Sequence, residues 1–231
     1  MHTEVSGTGA DLVFVLGWGN KPEHETVRWL IDRLVEADYR VHAIEIPTTI
    51  TDFDAEYRQP VAEYVATLSS YRLLTHSTGG LIGAFLSGPK TRVYLSPWWG
   101  IHEDQDGLLA RLFARLPIAR PLFPTGIDAE AIGTLASGDQ LADGPDAVAP
   151  TFLREIRRAQ AALPPFRSDS VVFFSPGDRV VSPTAIQERA LAENRVPYDG
   201  GHELFSSTVR EEYLPLVLDA IESGAGALSE P

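Results

Sequence analysis

Three polar residues, Ser77, Asp178 and His202, stand in surroundings that would let them act together on one acyl group. A serine hydroxyl is a weak nucleophile. An enzyme that uses one presents it on a sharp turn, with a base on one side and backbone N–H groups on the other. The run Tyr71-Arg72-Leu73-Leu74-Thr75-His76-Ser77-Thr78-Gly79-Gly80-Leu81-Ile82-Gly83 has that form, an apolar strand entering a serine and leaving through glycines into a helix. Thr75 and Gly79, two residues before and two after Ser77, are small where bulk would clash as the chain folds back. The same Ser-Thr-Gly-Gly string also occurs in ordinary helix caps, where serine only satisfies free N–H groups, so the motif gains its meaning from two segments nearer the C-terminus. Ser170-Val171-Val172-Phe173-Phe174 is β-branched and aromatic and runs into Ser175-Pro176-Gly177-Asp178, which places Asp178 at the carboxyl end of a strand. Arg195-Val196-Pro197-Tyr198 then breaks into Asp199-Gly200-Gly201-His202, a glycine turn carrying a histidine. A carboxylate and an imidazole so placed suit the acid and base of a Ser-His-Asp triad. Asp199 is the competing acid; Asp178 is preferred because it approaches the far nitrogen of the imidazole from the end of the preceding strand.

The elements that must position these groups alternate along the chain. Strands are expected at Asp11 to Trp18, Arg40 to Ile46, the elbow strand before Ser77, Thr91 to Trp98, and the two segments that lead to Asp178 and His202. Between them lie helical patterns at Glu25 to Ala37, with Val27, Leu30, Ile31 and Leu34 on one face, at about Ala55 to Leu68, after Ser77, at Ser182 to Glu193, and from about Ser206 to Ile221. Near-continuous apolar strands separated by helices predict an α/β fold whose mostly parallel, doubly wound sheet is covered on both faces. Residues 223–231 read as a loose tail.

The order Ser, Asp, His in these contexts resembles the α/β-hydrolase family, from Asp11 to about Leu218. The resemblance implies that Asp11 to Asn20 holds the first core strand and the loop that supplies an oxyanion-hole N–H, from Trp18, with a second donated by Thr78. The Gly17-Trp18-Gly19 loop is similar to that of pimeloyl-carrier methyl ester esterases. Two positions depart from the commonest family pattern: Thr75 stands where glycine is usual, and Leu16 where many members carry histidine. The activity implied is hydrolysis of a small-molecule carboxylic ester through an acyl-enzyme, with no metal or organic cofactor called for. Thioesterase, iminopeptidase and carbon–carbon bond hydrolase activities use the same triad, and a non-catalytic ligand-binding protein can use the same fold.

From residue 97 to 166 the alternation stops, in a stretch rich in proline, glycine, alanine and leucine with no strand-like run. This divides the chain into a core of residues 1–96 and 167–231 and an inserted helical cap, which family members commonly place above the serine. Leu112, Phe113 and Leu116 recur at helical spacing there, and with Trp98 they are the candidate substrate-binding residues. Among the other histidines, His76 is expected to pack against the elbow because strand neighbours point oppositely, and His24, His42 and His102 to be structural or solvated.

With 231 residues, 44% of them hydrophobic, the chain suffices for one core. No apolar run approaches the ~20 residues of a membrane span, and residues 1–10 show no secretory signal, so a cytoplasmic protein is expected. The absence of cysteine excludes disulfides, cysteine–zinc sites and a cysteine nucleophile. A formal net charge of −13 disfavours nucleic acid and stable association with anionic membranes. Only Lys21 and Lys90 are lysines. An acidic protein with scarce lysine looks like that of a halophile, whose salt screens self-repulsion, although a high-GC genome also favours arginine over lysine.

Overall fold

The computed structural model describes residues 1–126 and 129–228. Its central sheet has seven strands: β1 (His2–Ser6), β2 (Ala10–Val15), β3 (Tyr39–Glu45), β4 (Arg72–His76), β5 (Arg92–Leu95), β8 (Ser170–Phe174) and β9 (Arg195–Pro197), in the spatial order β1-β3-β2-β4-β5-β8-β9. All neighbours pair in parallel except β1, which lies antiparallel on β3. This is the α/β-hydrolase fold, reached by alternation of side chains along strands that are buried on both faces. Leu12, Phe14, Leu74, Val93, Val171 and Phe173 face one way, against α1 (Glu25–Glu36) and α9 (Arg210–Ser223). Val13, Val15, Ile44 and Leu73 face the other, against α2 (Gln59–Val65), α3 (Thr78–Gly83) and α7 (Pro150–Ala161), which contributes Phe152, Ile156 and Ala159. A smaller cluster joins Val172 and Phe174 to Ile186 of α8 (Pro183–Arg189).

Several elements differ from expectation. β1 was not expected; its short polar sequence has no apolar run, and it forms because the edge of β3 offers unpaired backbone groups. The helix expected at Ala55 to Leu68 opens with a π-turn at Asp54–Arg58 before α2 begins. α8 stops at Arg189 and is followed by a single 3-10 turn at Ala192–Asn194, and the last helix begins at Arg210 after a 3-10 turn at Leu204–Ser206. The expected loose tail is ordered to Leu228: the 3-10 turn Gly224–Leu228 packs Ala227 and Leu228 on the core, and the Ala225 N–H donates to the Asp169 carbonyl at 3.2 Å. Residues 229–231 lie outside the described residues.

The segment between β5 and β8 contains the short helices α4 (Leu108–Phe113), α5 (Ala129–Ile132) and α6 (Gly138–Asp143) ahead of α7. It also holds an unexpected two-stranded ribbon of β6 (Phe123–Pro124) and β7 (Ala147–Val148). Two residues of strand on each side leave no periodicity in the sequence to reveal it.

Candidate active site

β4 ends at His76, and the next residue takes φ +51° and ψ −116°, a backbone region costly for a residue with a Cβ. That residue is Ser77. Its N–H donates to the Leu95 carbonyl at 3.0 Å, and its carbonyl receives the N–H groups of Gly80 and Trp98 at 2.8 and 2.9 Å, so bonds on both sides hold the turn. A Cβ on Gly79 would stand 2.2 Å from the Val15 carbonyl oxygen, which is why α3 can start so close to β2 only with glycine there. Thr75, in place of the more usual glycine, is accommodated from the opposite side: a Cβ on Gly83 would come within 2.7 Å of the Thr75 methyl.

Asp178 follows β8 and is buried with its carboxylate fully committed. Oδ1 accepts the Val180 and Val181 N–H groups at 2.8 and 3.1 Å, and Oδ2 lies 2.7 Å from His202 Nδ1. That contact assigns the proton to His202 Nδ1 and leaves a lone pair on Nε2, which is buried and makes no hydrogen bond among the described residues. Burial drives the His202 pKa down, but the charge of Asp178 and the hydrogen bond to it, helped by the charge of Glu203, outweigh burial, and the net shift is upward. Asp199, by contrast, is exposed, and it is its backbone carbonyl that accepts a hydrogen bond, from Ser207.

Ser77, Thr78, His202 and Trp18 all border a cavity of about 400 Å³ between the sheet's carboxyl edge and the inserted segment. Trp18 is fixed by stacking on Phe152, centroids 4.9 Å apart, and by an indole hydrogen bond to the Thr48 carbonyl at 2.7 Å. Of the four candidate substrate-binding residues, Trp98 and Phe113 line the cavity, and Leu112 and Leu116 do not. α4 turns Leu109, Ala110 and Phe113 toward the cavity, residues related by i, i+3 and i, i+4 spacing. Leu112 falls on the other side and is 47% exposed, while Leu116 lies beyond the helix end. Leucines surround α4 in the sequence, so periodicity alone did not select the face.

His76 borders the cavity as well as packing on the elbow; its ring lies 4.8 Å from that of His202 and 5.0 Å from that of Phe205. Burial, then the neighbouring His202, hold its pKa well below the ordinary histidine value, so it stays neutral. His24, His42 and His102 serve local structure: His42 bridges Asp11 and Tyr64, and His24 and His102 accept nearby backbone N–H groups. Asn20 and Glu203 are among the cavity-lining residues that were not foreseen. The available signal for Glu203 was a carboxylate directly after His202 and directly before the apolar pair Leu204-Phe205, a context that favours burial.

The sequence profile of the alpha/beta hydrolase family matches residues 12–214. The chain belongs to the α/β-hydrolase family. Solved structures similar to this hydrolase include a monoacylglycerol lipase from Paleococcus ferrophilus, with TM-score 0.73 and 16% identity over 98% of both chains. A soluble variant of the monoglyceride lipase of Saccharomyces cerevisiae gives TM-score 0.72 and 13% identity over 99% of this chain and 92% of its own. An esterase from Exiguobacterium antarcticum gives 0.67 and 16% over 96% and 95%. At these identities the likeness is one of fold. A search of curated proteins found no match to the hydrolase. No helix among its described residues is long and apolar enough to cross a membrane.

Proposed function

We propose that this hydrolase cleaves carboxylic esters with Ser77 as nucleophile, His202 as base and Asp178 as the acid that orients it. The observation that carries the reading is the pairing of a strained, cavity-facing Ser77 with an imidazole whose Nδ1 is tied to Asp178 and whose Nε2 is unpartnered in the same cavity. His202 Nε2 takes the proton as Ser77 Oγ attacks the ester carbonyl. The oxyanion is received by the Trp18 and Thr78 N–H groups. His202 returns the proton to the departing alcohol, and a water activated by the same nitrogen then hydrolyses the acyl-enzyme, regenerating the serine hydroxyl. The insertion from 97 to 166 is the substrate-facing cap in this reading, with Trp98, Leu109 and Phe113 offering an apolar wall to the substrate. The acidic, lysine-poor composition supports work at high salt inside a cell.

Turnover of a panel of p-nitrophenyl esters, thioesters and proline p-nitroanilides, together with labelling by a fluorophosphonate probe, tests the reading. Wild type should label at one site and turn over esters best, and Ser77→Ala should lose both, by on the order of 10⁶ in kcat. Labelling that survives Ser77→Ala, or a preference for thioesters or anilides, overturns the assignment of nucleophile or of substrate respectively.

A further inference from the structure

Glu203 is a buried carboxylate that takes no step in the proposed reaction. It is 2% exposed, and among the described residues no lysine or arginine pairs with it. A carboxylate kept out of water needs strong donors, and here they come from three parts of the chain. Asn20 Nδ2 donates to Oε1 at 2.8 Å, Gln140 Nε2 donates to Oε2 at 2.8 Å, and the Ser206 hydroxyl also donates to Oε2.

Each donor is anchored at its far end. Asn20 Oδ1 lies 3.1 Å from His76 Nδ1, and the Asn20 N–H closes the turn Gly17–Asn20 on the Gly17 carbonyl at 3.1 Å, the turn that contains Trp18. Gln140 belongs to α6 of the insertion, and its Oε1 accepts the Thr26 hydroxyl of α1 at 3.0 Å. The backbone N–H groups of His202 and Glu203 donate to the Ala131 and Ile132 carbonyls of α5 at 2.9 and 2.8 Å. The turn bearing His202, the loop bearing Trp18 and the insertion therefore meet at one carboxylate.

We infer that Glu203 is a positioning residue: through Asn20 it aims the Trp18 N–H, and through Gln140 it makes that aim depend on the docked insertion. The inference rests on the proposed role of Trp18 as an oxyanion donor. A carboxylate is specified rather than an amide because both its oxygens face NH₂ groups. Glu203→Gln would set one amide NH₂ against another and release Asn20 or Gln140. A released Asn20 leaves the Gly17–Asn20 turn without its inner support, and the N–H it carries no longer meets the oxyanion in a fixed direction, a loss felt in the transition state and not in substrate binding.

The test compares wild type, Glu203→Gln and the double variant Glu203→Gln/Gln140→Glu as full chains, with p-nitrophenyl butyrate below each melting midpoint and active sites counted by fluorophosphonate. In the double variant the new amide accepts from Asn20 and donates to the relocated carboxylate, which restores the chain of hydrogen bonds. Removing an oxyanion donor costs about 10²–10³ in kcat, so misaiming one in Glu203→Gln should cost about 10- to 100-fold per active site, with KM changed less than about threefold. The double variant should recover most of that loss. A purely structural role lowers the melting midpoint but leaves kcat per active site within about twofold of wild type, and that result overturns the inference, as does a double variant no faster than the single. If Glu203→Gln does not fold, Gln140→Leu decides: it removes the α6 bonds to Glu203 and to the Thr26 hydroxyl and leaves Asn20 on the carboxylate, so a fall in kcat per active site supports the coupling and an unchanged kcat overturns it. A wild type that neither labels at Ser77 nor turns over esters removes the parent reading and this inference with it, an outcome distinct from a working Ser77 that is indifferent to Glu203.

Discussion

The His202 imidazole sits under opposed influences, since burial favours its neutral form while Asp178 and Glu203 favour the charged one and prevail. A base works only when neutral, so kcat/KM for a neutral ester should rise with pH as His202 loses its proton, with a midpoint above the ordinary histidine value of about 6.5. Asp178→Asn removes the largest upward cause and leaves burial in place. Its midpoint should move down, and kcat should fall by about 10⁴ as the ring loses its orientation. Asp199→Asn, whose carboxylate is in solvent, should resemble wild type. Rate profiles at fixed ionic strength check all three, and an unmoved midpoint in Asp178→Asn would contradict the account. A second prediction concerns the elbow. Gly83→Ala should cost about 1–3 kcal/mol by overpacking against the Thr75 methyl, and Thr75→Ser, which deletes that methyl, should relieve part of it. Denaturant midpoints of the two single variants and the double give the coupling; strictly additive losses would mean that the methyl is not the obstacle.

Among the secondary-structure elements, α4 governs the expected dependence on the acyl chain. Its inner face carries Leu109 and Phe113, with Phe113 packed on Phe123 at a centroid distance of 5.2 Å, and both rings border the cavity. Each methylene buried there is worth up to about 0.8 kcal/mol, close to fourfold in kcat/KM. Activity should therefore climb from p-nitrophenyl acetate to butyrate and beyond until the cavity is full. Phe113→Ala should flatten that climb while sparing acetate, and Leu112→Ala, on the outer face, should leave it intact. An equal loss on every ester in Phe113→Ala, matched by a lower melting midpoint, would assign the ring to anchoring the helix. The insertion leaves much apolar surface in solvent: Leu108 is 74% exposed, and Leu109 is 81% exposed even though it borders the cavity. Exposure of that extent explains why apolar spacing pointed equally well to Leu112 and Leu116: hydrophobicity here does not mark the buried side.

Taken over the entire chain, 32 acidic against 19 basic side chains leave a charge of −13. Pairs such as Arg72 with Glu222 and Arg157 with Asp106 satisfy the cations locally, so the excess carboxylates repel one another. Raising KCl from 0.1 M to 1 M shortens the screening length from about 10 Å to about 3 Å. The melting midpoint should rise over that range and should not rise to the same extent with an equal osmolality of uncharged glycine betaine. A midpoint indifferent to KCl would leave the acidic composition without a part in stability.

Residue order alone was enough to locate the strands that carry the site, because burial on both faces makes β2, β4 and β8 near-continuous apolar runs that end in polar turns. It also placed Ser77 and Asp178 at the ends of such runs and His202 in the glycine turn after the short strand Arg195–Pro197, where the fold brings them to one edge. What it could not contain was distance. The 2.7 Å contact between Asp178 and His202, the face of α4 turned to the cavity, and the meeting of Asn20, Gln140 and Glu203 across 183 and 63 residues of chain came from tertiary packing. Local propensity acts over a few residues, whereas a buried carboxylate finds its donors only after the sheet, the loop and the insertion have closed on it.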